Sequence, residues 1–488
     1  MSVVHSSLRS ALVLSTVLGS AASLLAIGCG EDAPDAAAPD ASPDAPSTAD
    51  DAASPSDAGV DPDARGAFDP ADVPVVCDGS PCATELVAGG DHFCARMSDG
   101  TVRCWGDDTF GALGAGEPGD PDDPGDSKGA DGGTTARVVA DLGGVTQLSA
   151  AGGTTCARVD DGGVRCWGDN RYGELGLEID PPLADWDPHP TPAPVALEEA
   201  ATRVDVGHGT VCAVLASGKV WCWGRDDRLQ LARDRGGPDP VFPDPFGGPG
   251  PASLEALTLT RATAGSFTTF GLSAAGEVWS WGALAGEDGV LSGRIASLSP
   301  ARTPKRVAGL SKLTSFAASA SVEVPYEMPP WDPSAPPPPP PPPPRAHACA
   351  IAGGEVYCWG RSYAGALCTG RPDREPLPAL APVSAKTWPQ QVAVGDEITC
   401  ARMTDGSVFC CGSDARGRLG TGSVAILSPW LAKASAFTGY AVQVATSNRA
   451  VCALVRDGSV QCWGSNEKGE LGREPDESNH PSPVTIVF

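Results

Sequence analysis

Apolar residues along this chain come in short runs punctuated by glycine and small polar residues, and from about residue 84 onward the same succession of runs returns seven times. Each unit opens on an apolar stretch ending near glycine, as in Leu86-Val87-Ala88-Gly89-Gly90 or Val392-Ala393-Val394-Gly395-Asp396. A run holding a cysteine follows, then a tight turn, then a third run ending in Trp-Gly. Residues 94–106 read CARMSDGTVRCWG, 156–168 CARVDDGGVRCWG and 452–464 CALVRDGSVQCWG. A fourth run comes after a long polar loop, as in Pro192-Ala193-Pro194-Val195-Ala196-Leu197. Short alternating runs with regular turn signals and no helical period predict strands throughout. A unit that recurs at this length cannot bury its own apolar face and must stack on its neighbours. Four strands per unit and seven units predict an all-β, seven-bladed β-propeller of four-stranded blades. The final Pro483-Val484-Thr485-Ile486-Val487-Phe488 repeats the fourth run, whereas Glu85-Leu86-Val87 reads as a start in mid-unit. The last strand is therefore expected to complete the first unit's blade and so close the ring.

The first cysteine of the unit falls at Cys94, Cys156, Cys212, Cys349, Cys400 and Cys452, with Phe270 in its place in the fourth unit. Gly89 to Leu113, GGDHFCARMSDGTVRCWGDDTFGAL, resembles the repeat of the regulator of chromosome condensation family, whose signature is Gly-x-x-His-x-Cys-Ala-Leu, an Asp-Gly turn, Cys-Trp-Gly and Gly-x-Leu-Gly. The pattern runs to residue 488 and departs at Phe270 and Ser280, at Cys411 where Trp is expected, and at a proline-rich insertion, 322–345. The resemblance implies the propeller fold and, as the family's namesake activity, guanine-nucleotide exchange on a small GTPase.

Most units carry two cysteines ten residues apart, centred on a triplet such as Ser98-Asp99-Gly100. A three-residue hairpin loop places such residues opposite each other across two strands, close enough at non-hydrogen-bonded positions for a bridge. The expected pairs are Cys94–Cys104, Cys156–Cys166, Cys212–Cys222, Cys349–Cys358, Cys400–Cys410 and Cys452–Cys462. Two variations favour disulfides over buried free thiols. The Cys349–Cys358 spacing shortens together with its turn, Gly353-Gly354, and in the fourth unit both cysteines vanish together as Phe270 and Ser280. Cysteine pairs without a regularly placed histidine offer only half a zinc site. Cys77 and Cys82 bracket a turn and form a further expected pair; Cys368 and Cys411 could bridge neighbouring units. Each short loop so closed is worth roughly 2–3 kcal/mol in the chain-entropy model.

Cys29 has a different context. Residues 1–28 carry Arg9, an apolar run from Ala11 to Ile27, and end in Leu25-Ala26-Ile27-Gly28. This reads as an export signal, and its end resembles a bacterial lipoprotein box in which Cys29 is acylated, although Ala26 stands where Leu is usual. Ordinary secretion is the second choice. Residues 29–76 are built from Ala, Pro, Asp and Ser, with twelve acids against the single base Arg65. Such a segment cannot bury enough apolar surface to fold and is expected to serve as an extended tether, leaving 77–488 as the propeller. The location expected is extracytoplasmic: outer membrane or cell surface, with the membrane touched only through the lipid.

The formal net charge of −27 disfavours phosphate backbones, so nucleic-acid binding is not expected. In an up-and-down blade, the loops after the first and third strands share one face. All the long loops fall there, and they carry the candidate binding residues Trp186, Phe242, Phe246, Tyr326 and Trp331; the insertion adds nine consecutive prolines, Pro336–Pro344. Variable loops on a rigid scaffold commonly bind, with exposed aromatics as anchors, though proline-rich loops also serve as solvated spacers. Trp105, Trp167, Trp223 and Trp463 read as blade-packing residues. No nucleophile elbow or metal motif occurs, and the acidic run at Asp120, Asp122, Asp123, Asp126 and Asp131 lacks the spacing of a calcium loop. No catalytic residue, cofactor or metal is expected. The leading reading is a monomeric binding scaffold for a protein or glycan; the alternatives are nucleotide exchange and an enzyme with its site in the central channel.

Overall fold

The computed structural model describes residues 73–116, 136–177, 184–234, 245–254, 257–265, 267–282, 293, 301–319, 346–362, 364–371 and 374–488. The signal segment, most of the tether, the acidic run, Phe242, and the insertion with Tyr326 and Trp331 lie outside the described residues. The rest forms seven four-stranded antiparallel sheets, each made of consecutive strands in the order first, second, third, fourth. Blade 1 comprises Ala83–Ala88, His92–Met97, Val102–Gly106 and Arg137–Val138; blades 2 to 7 begin at Val145, Ala201, Leu259, Leu313, Pro389 and Ala441. The first strands line the central channel and the fourth strands form the rim.

The two cysteine-bearing strands pair so that Cys94 faces Cys104, and the same register recurs at Cys156/Cys166, Cys212/Cys222, Cys349/Cys358, Cys400/Cys410 and Cys452/Cys462. All six pairs are disulfides; the separation of 4.1 Å between Cys94 Cα and Cys104 Cα is that of directly opposed residues. Further disulfides join Cys77 to Cys82 and Cys368 to Cys411.

Each strand-pair disulfide faces the next blade, where all but Cys349–Cys358 meet a buried tryptophan; that pair meets the Cys368–Cys411 disulfide instead. Cys94 and Cys104 share a core with Trp167, Cys156 and Cys166 with Trp223, and Cys400 and Cys410 with Trp463. The indole also donates backwards to a carbonyl in the preceding blade's loop: Trp167 Nε1 to Ala112 O (3.0 Å), Trp223 to Glu174 O (2.7 Å), Trp281 to Gln230 O (2.8 Å) and Trp463 to Arg418 O (2.8 Å). Each ring removes on the order of 200 Å² from water, at most about 5 kcal/mol, and its polar N–H is satisfied as burial requires.

Ring closure differs from the expectation. Blade 7 is complete from its own residues, because Asp476–Thr485 pairs with Val460–Asn466, and blade 1 takes its first strand from Ala83–Ala88. The Glu85 run is a first strand, not a mid-unit start, so there is no gap for the last strand to fill. The ends are joined side by side instead. Trp105 Nε1 donates to Glu470 O (3.0 Å), Asn448 N to Gly90 O (2.7 Å), Val76 N to Arg456 O (2.7 Å), and Phe488 packs edge-on against Trp105.

Candidate binding face

The channel wall is built from a polar residue at the third place of each first strand: Glu85, Gln147, Arg203, Arg261, Ser315, Gln391 and Gln443. Most of these reach the next blade's backbone. Gln443 Oε1 accepts from Leu86 N (2.9 Å), Glu85 Oε1 from Leu148 N (3.2 Å), Gln147 Oε1 from Val204 N (3.1 Å) and Ser315 Oγ from Val392 N (3.1 Å). Gln391 Oε1 accepts from Val444 N at 2.9 Å, and Arg261 Nη1 donates to Phe316 O at 2.9 Å. Arg203 and Arg261 both bond the Asp205 carboxylate, at 2.7 and 2.9 Å. Burial opposes that charge, yet Arg261 and Arg203 hold Asp205 below the usual carboxylate range. Burial pushes Glu85 up, against the Leu148 N–H and Arg96. The channel, about 410 Å³, is thus walled by groups already employed in locking blade to blade.

On the long-loop face the channel opens into a second cavity of about 340 Å³, sharing Gly90, Gly152, His208 and Asn448 with it. Around this mouth runs a ladder of arginines and aromatic rings. The Arg171 guanidinium lies 4.6 Å from the Phe110 ring centre and 5.3 Å from that of Trp186; Arg225 lies 4.8 Å from Tyr172 and 4.6 Å from Phe267. Carboxylates orient both cations, Asp169 for Arg171 and Asp227 for Arg225. A cation held over a ring in this way contributes about 0.5–1 kcal/mol at an exposed site, so the ladder fixes loops that the strands alone would leave free.

Of the residues singled out in the sequence, Trp186 is 75% exposed beside this ladder, and Phe246 opens the fourth strand of blade 3, half-buried and paired with Arg225. His92 and His347 donate to or accept from Thr155 and Thr399 of the following blade at 2.7 and 2.8 Å. Burial depresses both to about 4, which keeps them neutral. Among the described residues no cluster of His, Cys, Asp and Glu is arranged to hold a metal. The ladder arginines passed unnoticed in the sequence, because an Arg one to three residues after Trp-Gly, as at Arg225 and Arg171, has no fixed place in the repeat. A second overlooked feature is the exposed apolar group Leu377, Leu380, Ile426, Leu427 and Trp430 on the rim of blades 5 and 6. Its signal, alternation within Leu427-Ser428-Pro429-Trp430-Leu431, is indistinguishable from that of any fourth strand.

The profile of the Regulator of chromosome condensation (RCC1) repeat matches residues 83–112, 145–174, 353–402, 390–418 and 441–470, which fall in blades 1, 2, 5, 6 and 7. The chain carries regulator of chromosome condensation repeats. It is similar to the E3 ubiquitin-protein ligase HERC2 of Homo sapiens, 28% identical over 329 residues, or 65% of this chain and 6% of the ligase. It is also similar to the Ultraviolet-B receptor UVR8 of Arabidopsis thaliana, 34% identical over 26% of this chain and 29% of the receptor. The chain therefore spans a small part of the length of these relatives. Among solved structures, yeast RCC1 (Prp20) bound to Kap60 superposes with a TM-score of 0.61 at 17% identity, covering 85% of this chain and 87% of that one. Human WBSCR16 gives 0.57 at 18%, covering 80% and 94%. These likenesses show the seven-bladed fold.

Proposed function

We propose that this chain is an extracytoplasmic binding scaffold, anchored through a lipid on Cys29, that holds a protein or glycan on its long-loop face. The observation that carries this reading is the position of the chain's entry into the ring. Val76 and Ala83 bond the tight turn of blade 7 at Arg456 and Gly458, and Val73–Val75 line the tight-turn end of the channel. The described chain thus enters the ring at residues 73–76 on its tight-turn face, opposite the face that holds Trp186 and the mouth, and a binding face on that opposite side suits an anchor upstream in the sequence. Eight disulfides among the described residues fit an oxidising compartment. No helix among them is long and apolar enough to cross a membrane.

Nucleotide exchange is the second reading, suggested by the similar Prp20p of Saccharomyces cerevisiae, which has binding properties to Gsp1p and histones. The disulfide content counts against it, since a GTPase partner would be cytosolic. An active site in the channel is disfavoured by the pairing of its ionisable groups. The test is affinity capture from the cell envelope on the oxidised propeller, with and without segments 235–244 and 322–345, a deletion that spares the Phe246–Pro251 strand of blade 3. Capture that depends on the loops supports the scaffold; capture indifferent to them sinks it. Mass spectrometry of the native N-terminus distinguishes an acylated Cys29 from simple secretion.

A further inference from the structure

The mouth cavity has a chemistry of its own. Asp91 and Asp107 lie on its wall with the rings of Phe110 and Tyr172, the Asn448 side chain and His208. Asp107 is tied to its own turn, accepting from Thr109 N (3.1 Å) and Thr109 Oγ1 (2.5 Å). Asp91 faces Arg449 Nε at 3.5 Å, and its Oδ1 accepts no hydrogen bond among the described residues. Arg449 is itself drawn to Glu467, and Arg171 is committed to Asp169. Asp91 thus meets its cation in an ion pair without a hydrogen bond to Oδ1, and Asp107 is held by hydrogen bonds from its own turn, in a protein whose charge of −27 draws cations toward it. The neighbouring ladder shows how a guanidinium is received on this face: over aromatic rings, with a carboxylate oriented against it.

We propose that the mouth cavity receives the side chain of a lysine or arginine presented by a basic segment of a protein partner, with Asp91 and Asp107 as counter-charges and Phe110 and Tyr172 as flanking rings. The proposal rests on the long-loop face being the binding face and names the chemistry of its ligand. A volume of about 340 Å³ accommodates a basic side chain with its flanking backbone, and complementarity of this kind sets selectivity and association rate more than raw affinity.

The probe is a trilysine peptide, with triglycine and a chitotriose as neutral comparisons, titrated calorimetrically into the full mature chain under oxidising conditions at low salt. Asp91→Asn and Asp107→Asn are each expected to weaken trilysine binding by about tenfold, between the values for exposed and buried ion pairs. Arg449→Gln removes the competing internal cation and is expected to strengthen binding several-fold, an outcome that misfolding cannot mimic. Equal trilysine affinity in wild type and the two Asp variants would show attraction by the acidic surface at large and overturn the proposal. So would an unchanged affinity in Arg449→Gln, or binding of chitotriose in preference to the peptide. Loop-dependent capture that persists in Asp91→Asn would overturn the cavity alone and leave the scaffold reading in place.

Discussion

Two neighbouring blade interfaces solve one packing problem in different ways. Between blades 6 and 7, Trp463 lies on the Cys400–Cys410 disulfide and donates to Arg418 O, while Gly420 stands under the indole. A Cβ on Gly420 would lie 2.8 Å from Trp463 Nε1, and its φ of 67° already favours glycine. Between blades 5 and 6 the tryptophan is replaced by Cys411 and the glycine by Cys368, and the two are bonded. The carbonyl that elsewhere receives the indole, Ala366 O, accepts from Thr399 Oγ1 at 2.8 Å. The left-handed position does not itself demand glycine: Cys368 occupies it at φ 56° where the ring is gone, and Ala232 occupies it at φ 49° in the core that holds Trp281. One interface is held by area and a hydrogen bond, the other by a covalent staple.

The largest effect is expected from Trp463→Ala. Removing a buried ring from a core costs about 3–5 kcal/mol, and here Arg418 O also loses its donor. The thermal midpoint of the oxidised propeller should fall steeply, and equally with or without reductant-labile bonds elsewhere; a shift of only a degree or two would mean the interface is held mainly by the channel clamps. Next in size is Cys368→Ser with Cys411→Ser. Its loop of 43 residues is longer than any strand-pair loop, and its loss is expected to cost about 2–4 kcal/mol. The double substitution Cys368→Gly with Cys411→Trp should recover most of that, because it recreates the neighbouring interface. Failure to recover would show that blade 6 has adapted to the staple in other ways.

Blade 4 extends the comparison. Phe270 and Ser280 face each other where the other blades have a disulfide, and Phe270 packs with Phe316 (5.1 Å) and Trp359 (6.2 Å) of blade 5. An aromatic cluster here does what the sulfur bridge does elsewhere. Phe270→Cys with Ser280→Cys should therefore form a bridge, detectable as the absence of two reactive thiols on denaturation. Stability should stay within about 1 kcal/mol of wild type, as the roughly 2–3 kcal/mol of cross-linking offsets the lost aromatic packing. A clear gain in stability would mean that the cluster contributes little.

These relations mark where the sequence was readable. Cysteine opposition was legible because hairpin register is local: spacing and turn length shift together at Cys349 and Cys358. The reason for Phe270 was not, because its partners Phe316 and Trp359 lie in the next unit and carry no mark of contact. Ring closure was misread for a similar reason, since the phase of a repeat has no origin until strand pairing assigns one. The channel clamps were overlooked because a glutamine or arginine in a half-buried strand looks like an exposed one. Of the binding face, the exposure of Trp186 was anticipated, while the arginine ladder and the carboxylates of the mouth depended on loops from separate blades meeting in space.

The smallest predicted effect separates two further interfaces by pH. Glu174, in the loop whose carbonyl receives Trp223, accepts from Tyr172 N at 2.8 Å; Gln230, in the loop that receives Trp281, accepts from Arg228 N at 2.7 Å in the same way. Burial, with Asp169 nearby, pushes the Glu174 carboxyl up from 4.5 to about 8, so that at neutral pH it resembles the amide of Gln230. A group raised in the folded state stabilises fully below its unfolded value and loses that contribution as pH climbs through the folded one. The wild-type midpoint should therefore fall between about pH 4.5 and 8 relative to Glu174→Gln, which carries no such proton. His92 and His347, depressed to about 4, act in the opposite sense below pH 6.5, but they are common to both proteins and cancel in the difference. Thermal midpoints of the pair across this range should diverge toward alkaline pH, with the glutamine variant the more stable. Parallel curves would place the Glu174 carboxyl in contact with solvent and remove the equivalence of the two loops.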